Sequence, residues 1–237
     1  MMRAAAFLAV LAVGGCDWAS VDNTARTSFP PADRPVSEIT GSQFSTETQR
    51  DELNEAETVM DLADIEPGMT VADIGAGNGY YTVRLAPRVG DNGRVLAQDI
   101  IPETRDGLAD RVTRERLDNV SVRLGEPNDP KLPDNSFDRV FMVHMYHEIQ
   151  SPYEFLWNLR PSLREGGLVV VVDADRPTNR HGTPPDLLSC EFEAVGYRAV
   201  RFDRRPDIRG YFMMFERHGE RPEPGDIEPC GQNAATG

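Results

Sequence analysis

Short apolar runs alternate with stretches of helical spacing through the middle of this chain, and few architectures accommodate that alternation. Residues 70–74, 94–98, 120–124, 137–144 and 168–174 read as strands. The first of them, Thr70-Val71-Ala72-Asp73-Ile74, is short, apolar and β-branched, as a buried parallel strand should be. Residues 80–86, 102–117, 152–163 and 184–195 read as the intervening helices, several of them opening at or beside a proline whose fixed φ suits a first turn. A further helix, 46–62, precedes the sheet, with Leu53, Ala56, Val59, Met60 and Ala63 at helical spacing. Such alternation implies right-handed crossovers and a doubly wound, mostly parallel α/β sheet. After Gly196 the pattern changes: residues 197–202 and 211–215 are aromatic-rich, with no room for a helix between them, so they predict an antiparallel hairpin.

The length of 237 residues suits one core, placed at 45–218. Against 25 Lys and Arg stand 39 Asp and Glu, a net charge of −14, which repels phosphate backbones and excludes nucleic acid as the expected partner. The chain opens with Arg3, an apolar run over 4–13, then Gly14, Gly15 and Cys16. This is a signal peptide in outline, and far shorter than the roughly 20 residues that span a bilayer. Val13-Gly14-Gly15-Cys16 resembles the bacterial lipobox, which implies acylation of Cys16 and a lipid anchor holding the domain in the cell envelope, facing the periplasm. A misassigned start would instead leave the protein cytoplasmic. Residues 17–44 then read as a polar, proline-bearing tether and 219–237 as a disordered tail. Cys190 and Cys230 could pair in an oxidising compartment, although two thiols in a sequence fix no geometry.

At the end of the first strand lies Asp73-Ile74-Gly75-Ala76-Gly77-Asn78-Gly79-Tyr80. In a parallel sheet this is the carboxyl edge, where ligands bind. Glycines remove side chains that would hold a ligand off the backbone. A dinucleotide fingerprint wants its third glycine where Tyr80 stands, and no Gly-Lys-Ser/Thr follows, so neither NAD nor a triphosphate is the expected ligand. Asp73 suits a ligand with a cationic end. The second strand closes on Asp99, followed by Ile100, 22 residues after Gly77 and near the spacing at which an acid meets a ribose. Glu126 stands just past the third strand.

The glycine loop resembles motif I of the class I S-adenosylmethionine-dependent methyltransferases, and the ordered set of acids extends the resemblance over roughly residues 60–175. Leu132-Pro133-Asp134-Asn135-Ser136-Phe137-Asp138 and Leu163-Arg164-Glu165-Gly166-Gly167 resemble that family's lead-ins to strands four and five. The resemblance implies a seven-stranded sheet of order 3-2-1-4-5-7-6, with the hairpin as strands six and seven. It implies S-adenosylmethionine as cofactor, with Asp73, Gly75, Ala76, Gly77, Asn78, Gly79, Asp99, Ile100 and Glu126 around it, and methyl transfer to a small-molecule or lipid-like acceptor. The segment after strand four then lies beside the methyl, and His144 or His147 could take a proton from a hydroxyl or amine. Asp173, Asp175 and His181 with His144 match no recognised metal-ligand spacing, so no metal is expected. Two rivals remain: a tethered, non-catalytic binder of S-adenosylmethionine on the same scaffold, and, last, aminopropyl transfer, whose carboxylate-rich loop after strand four is missing here.

Overall fold

The computed structural model describes residues 28–39 and 46–231. The expected signal peptide, Cys16 and much of the expected tether lie outside them. The alternation folds as anticipated into seven strands: β1 (Thr70–Ile74), β2 (Arg94–Asp99), β3 (Val120–Leu124), β4 (Phe137–Val143), β5 (Leu163–Asp173), β6 (Tyr197–Arg205) and β7 (Gly210–Arg217). Their order is β3-β2-β1-β4-β5-β7-β6. The first five run parallel, and β7 is antiparallel to both β5 and β6. Helices α1 (Glu47–Glu52), α2 (Glu55–Leu62), α3 (Thr82–Val89), α4 (Pro102–Glu115), α5 (Pro152–Leu159) and α6 (Pro185–Ala194) complete the architecture.

Strand geometry divides the core. Successive side chains point to opposite faces, so Val140 and Met142 of β4 join Tyr146, Tyr153, Leu156, Phe192 and Phe215 on one face. Phe141 joins Val59, Met60, Leu85, Val89 and Phe212 on the other. Asp138 ties the strands at their amino ends, accepting from Thr70 N at 2.7 Å and from Arg164 Nη1 at 2.8 Å.

Several boundaries moved for local reasons. The helix expected over 46–62 breaks in two at Asn54, which takes a left-handed φ of 51°. The helix expected over 152–163 gives way to a tight turn at Arg160–Ser162, and β5 then begins at Leu163.

The two ends of the chain correct the sequence reading more deeply. Within the expected tether, residues 28–39 dock on the domain. Arg34 and Ser37 are buried; Arg34 Nε donates to Glu191 Oε1 at 2.8 Å, and Thr178 Oγ1 donates to Pro35 O at 2.6 Å. Extended, proline-bearing backbone has no period to read, and its partners lie more than a hundred residues away. The tail does not trail either, as far as residue 231. Trp157 Nε1 donates to Pro222 O at 2.9 Å, Ile227 is buried, and Cys230 forms a disulfide with Cys190 of α6.

Candidate functional site

The glycine turn is held from beneath by the end of β2. Ala76 N donates to Gln98 O at 2.9 Å, and Gly77 N donates to Asp99 Oδ2 at 3.0 Å. The other Asp99 oxygen accepts from Ile101 N at 2.9 Å, so one buried carboxylate ties the glycine turn to the backbone that follows β2. Gly77 has φ 56° and nothing within 4 Å of where a Cβ would stand, which leaves its backbone open to a ligand. Gly79, at φ 87°, serves packing instead: a Cβ there would meet Leu108 of α4 at 2.4 Å.

Beside this turn opens a cavity of about 840 Å³, inside the ~300–1,000 Å³ range of small-molecule sites. Ile100, Ile101 and Pro127 give it an apolar wall next to Asp99, while Arg50 and Leu53 border it from the α1 side. His144 and His147 also border it.

His144 follows β4 at a left-handed φ of 55°, its N–H donating to Val172 O at 2.8 Å. Its Nε2 lies 3.5 Å from Glu55 Oε1. Glu55 is buried and accepts from Arg50 Nη2 at 2.6 Å and from the Tyr81 hydroxyl at 3.0 Å. Burial works to raise its pKa, yet His144 and Arg50 outweigh it and hold the carboxyl down to about 2. Arg50 is itself seated over the Tyr80 ring, 3.9 Å from its centroid.

His147 is buried, and its Nδ1 lies 3.0 Å from Asp173 Oδ2. Asp173, fully buried at the end of β5, also accepts from Thr183 Oγ1 and Ala174 N, each at 2.8 Å. The carboxylate is therefore the acceptor, His147 carries its proton on Nδ1, and Nε2 is left as a base or ligand. His181 meets the His147 ring edge-on, with centroids 5.5 Å apart.

Of the residues expected from sequence, Gly75, Ala76, Gly77, Asn78, Asp99, Ile100, His144 and His147 border the cavity. Three do not. Asp73 lies beneath the turn, accepting from Thr82 Oγ1 at 2.6 Å, and burial pushes its pKa up to about 6. Gly79 faces α4. Glu126 turns to solvent, its carboxylate 3.3 Å from Lys131 Nζ, so the third-strand acid is not part of the pocket surface. Asp175 pairs with Arg204 at 2.7 Å. Sequence reasoning missed Glu55, Arg50 and the grouping of His181 with His147. Glu55 did carry a signal, being an acid beside the apolar positions Ala56 and Val59 on α2.

Residues 72–171 match the family model described as Methyltransferase domain. The nocamycin O-methyltransferase of Saccharothrix syringae is 39% identical over 85 residues, covering 36% of this chain and 30% of its own length. The demethylmenaquinone methyltransferase of Symbiobacterium thermophilum is 29% identical over 176 residues, covering 71% of this chain and 68% of its own. Among solved structures, a SAM-dependent methyltransferase from Aquifex aeolicus matches with a TM-score of 0.62 at 25% identity, over 72% of this chain and 97% of that one. The chain spans 30% to 52% of the length of the first curated relatives it matches.

Proposed function

We propose that this chain, which carries a methyltransferase domain of the class I, S-adenosylmethionine-dependent fold, transfers the cofactor's methyl group to a small-molecule or lipid-like acceptor. One observation carries the reading: a single cavity joins the glycine turn and Asp99 to His144 and His147. The residues suit the cofactor. The Asp99 carboxylate keeps lone pairs for ribose hydroxyls beyond its two backbone bonds. Ile100, Ile101 and Pro127 offer an apolar wall for a base, and the open backbone at Gly77 admits the amino-acid end. Gln98 Nε2, buried with no hydrogen-bond partner among the described residues, belongs to another lining residue of this cavity.

When bound, the cofactor supplies a methyl already activated on a sulfonium, so the protein's task is alignment and proton management. Glu55 Oε1 stands 3.5 Å from His144 Nε2 and orients that ring; a neutral imidazole with its proton toward Glu55 would keep Nδ1 to take the proton of a hydroxyl or amine. His147, its Nδ1 clamped by Asp173, borders the same space. Calorimetry with S-adenosylhomocysteine tests the reading: saturable binding by the full chain is expected, and its absence would overturn it. Transfer of a labelled methyl to extract metabolites then separates an enzyme from a binder.

We further propose that residues 1–16 are a lipoprotein signal, with Cys16 acylated and the domain held in the cell envelope. The Cys190–Cys230 disulfide supports this, because such bonds persist in oxidising compartments. Among the described residues no helix is long and apolar enough to cross a membrane, so an anchor would have to come from outside them. Mass spectrometry of the mature N-terminus should find a diacylglyceryl mass on Cys16; a retained Met1 or Met2 would sink the proposal.

A further inference from the structure

We propose that His147, Glu148 and His181 bind a divalent transition-metal ion at the acceptor end of the cavity. Each offers one donor atom, and the three atoms lie within 4.8 Å of one another. Ligands around a tetrahedral zinc stand roughly 3.3–3.5 Å apart for metal–ligand bonds of about 2.0–2.1 Å, so closure requires shifts of about an ångström. Glu148 and His181, the partly buried pair, would make those shifts on binding. Two imidazoles and one carboxylate form a donor set that suits zinc or iron and is a poor match for magnesium or calcium, which prefer all-oxygen sites.

The surroundings hold the ligands as metal sites do. Asp173 takes the Nδ1 proton of His147, fixing the tautomer that directs Nε2 outward, and is itself pinned by Thr183 and Ala174 N. Ser37, on the docked N-terminal segment, ties both halves of the site together. Its N–H donates to His147 O at 3.1 Å, and its hydroxyl accepts from His181 N at 3.2 Å. Three protein ligands leave a coordination position open, and all three residues border the cavity. That position suits an oxygen or sulfur donor of the acceptor. Only this last step rests on the methyl-transfer reading; metal binding itself does not.

The test uses the full chain, stripped with a chelator and titrated with Co²⁺ and then Zn²⁺, without cofactor. One equivalent of Co²⁺ should give visible absorption bands of a nitrogen- and oxygen-ligated site, and Zn²⁺ should displace it. His181→Ala and Glu148→Gln, both at partly exposed positions, should each weaken binding by at least about tenfold, and Asp173→Asn by about 10–100-fold. His218→Ala, at an exposed histidine outside the site, should leave it unchanged. A wild-type chain that takes up no stoichiometric metal, or one whose affinity is untouched in His181→Ala, overturns the proposal. Binding of S-adenosylhomocysteine by the same metal-free sample is read separately, so failure of this site and failure of the methyltransferase reading remain distinct.

Discussion

The two ends of the cavity are built differently. The end proposed for the cofactor is local: one glycine turn, with backbone N–H groups received by the tip of the neighbouring strand. The end proposed for the acceptor is assembled from afar, with Glu55 from α2, His144 and His147 from the segment after β4, Asp173 from β5 and His181 beyond it. Backbone geometry dictated by glycine and sheet order can hold the first with few specific side chains. The second depends on buried charges, each of which must keep its partner.

The largest expected effect follows from that dependence. Arg34 and Glu191 pair at 2.8 Å with side chains almost wholly buried, and Tyr146 donates to the same carboxylate at 2.7 Å. Glu191→Gln leaves the guanidinium buried without its counter-charge, which costs about 3–5 kcal/mol and lowers Tm by on the order of 10 °C. A change in melting below a few degrees would mean that the docked N-terminal segment contributes little to the stability of the domain.

Next in size come two opposite pH dependences, one from each end. Asp73 beneath the glycine turn has its carboxyl raised to about 6 by burial, which Thr82 offsets only in part. Its folded form binds the proton more tightly than the unfolded chain, so this contribution is present below about pH 4 and is lost as pH rises through about 6. At about 1.4 kcal/mol per factor of ten in proton affinity it amounts to about 3 kcal/mol. Glu55 is the reverse. Held down to about 2, it contributes above pH 4.5 and loses that contribution as pH falls toward 2. Denaturant midpoints measured from pH 3 to 7 should show Asp73→Asn losing the first dependence and Glu55→Gln losing the second. If Asp73→Asn keeps the wild-type profile, its carboxyl is not buried neutral beneath the turn.

This contrast also explains what was legible in the sequence. The glycine turn, Asp99 and the sheet order could be read because each follows from residues adjacent in the chain or from strand–helix alternation. The partners of Glu55 and His181 could not: an acid beside apolar helix positions marks residue 55 as unusual, but nothing near it announces His144, and nothing near 181 announces His147. The docking of residues 28–39 was invisible for the same reason: proline-rich extended backbone is polar in composition whether its hydrogen bonds go to water or to Thr178. That Asp73 lies beneath the turn and not on the cavity surface was hidden too: residue type at a strand end fixes a position, whereas the side chain's direction follows the hydroxyl of Thr82.

A smaller effect sharpens the cofactor end. Asp99→Ala removes the acceptor of two backbone N–H groups together with the proposed ribose contact. Hydrogen bonds to a charged group are worth about 1.5–3 kcal/mol, so affinity for S-adenosylhomocysteine should fall about 10–100-fold. Calorimetry on a folded variant that binds as tightly as wild type would remove Asp99 from the site.

The smallest expected effect discriminates most finely, because it sets a sequence expectation against a geometry. Glu126 stands past the third strand, where an acid was expected beside the cofactor, yet its side chain is more than half exposed and faces Lys131. Its backbone is fastened in that orientation, Glu126 N donating to Asp129 O at 2.9 Å and Asp129 N returning a bond to Glu126 O at 3.2 Å. Lys131 Nζ, at 3.0 Å from Asp129 Oδ2, is held by both acids of the loop. A carboxylate directed to solvent by its own turn cannot reach into the cavity that Pro127 borders unless the turn reverses. Glu126→Ala should therefore change S-adenosylhomocysteine affinity by less than about twofold, within the range of surface ion pairs. A tenfold loss would show that ligand binding turns residues 126–131 inward, making the cofactor end as dependent on long-range rearrangement as the acceptor end.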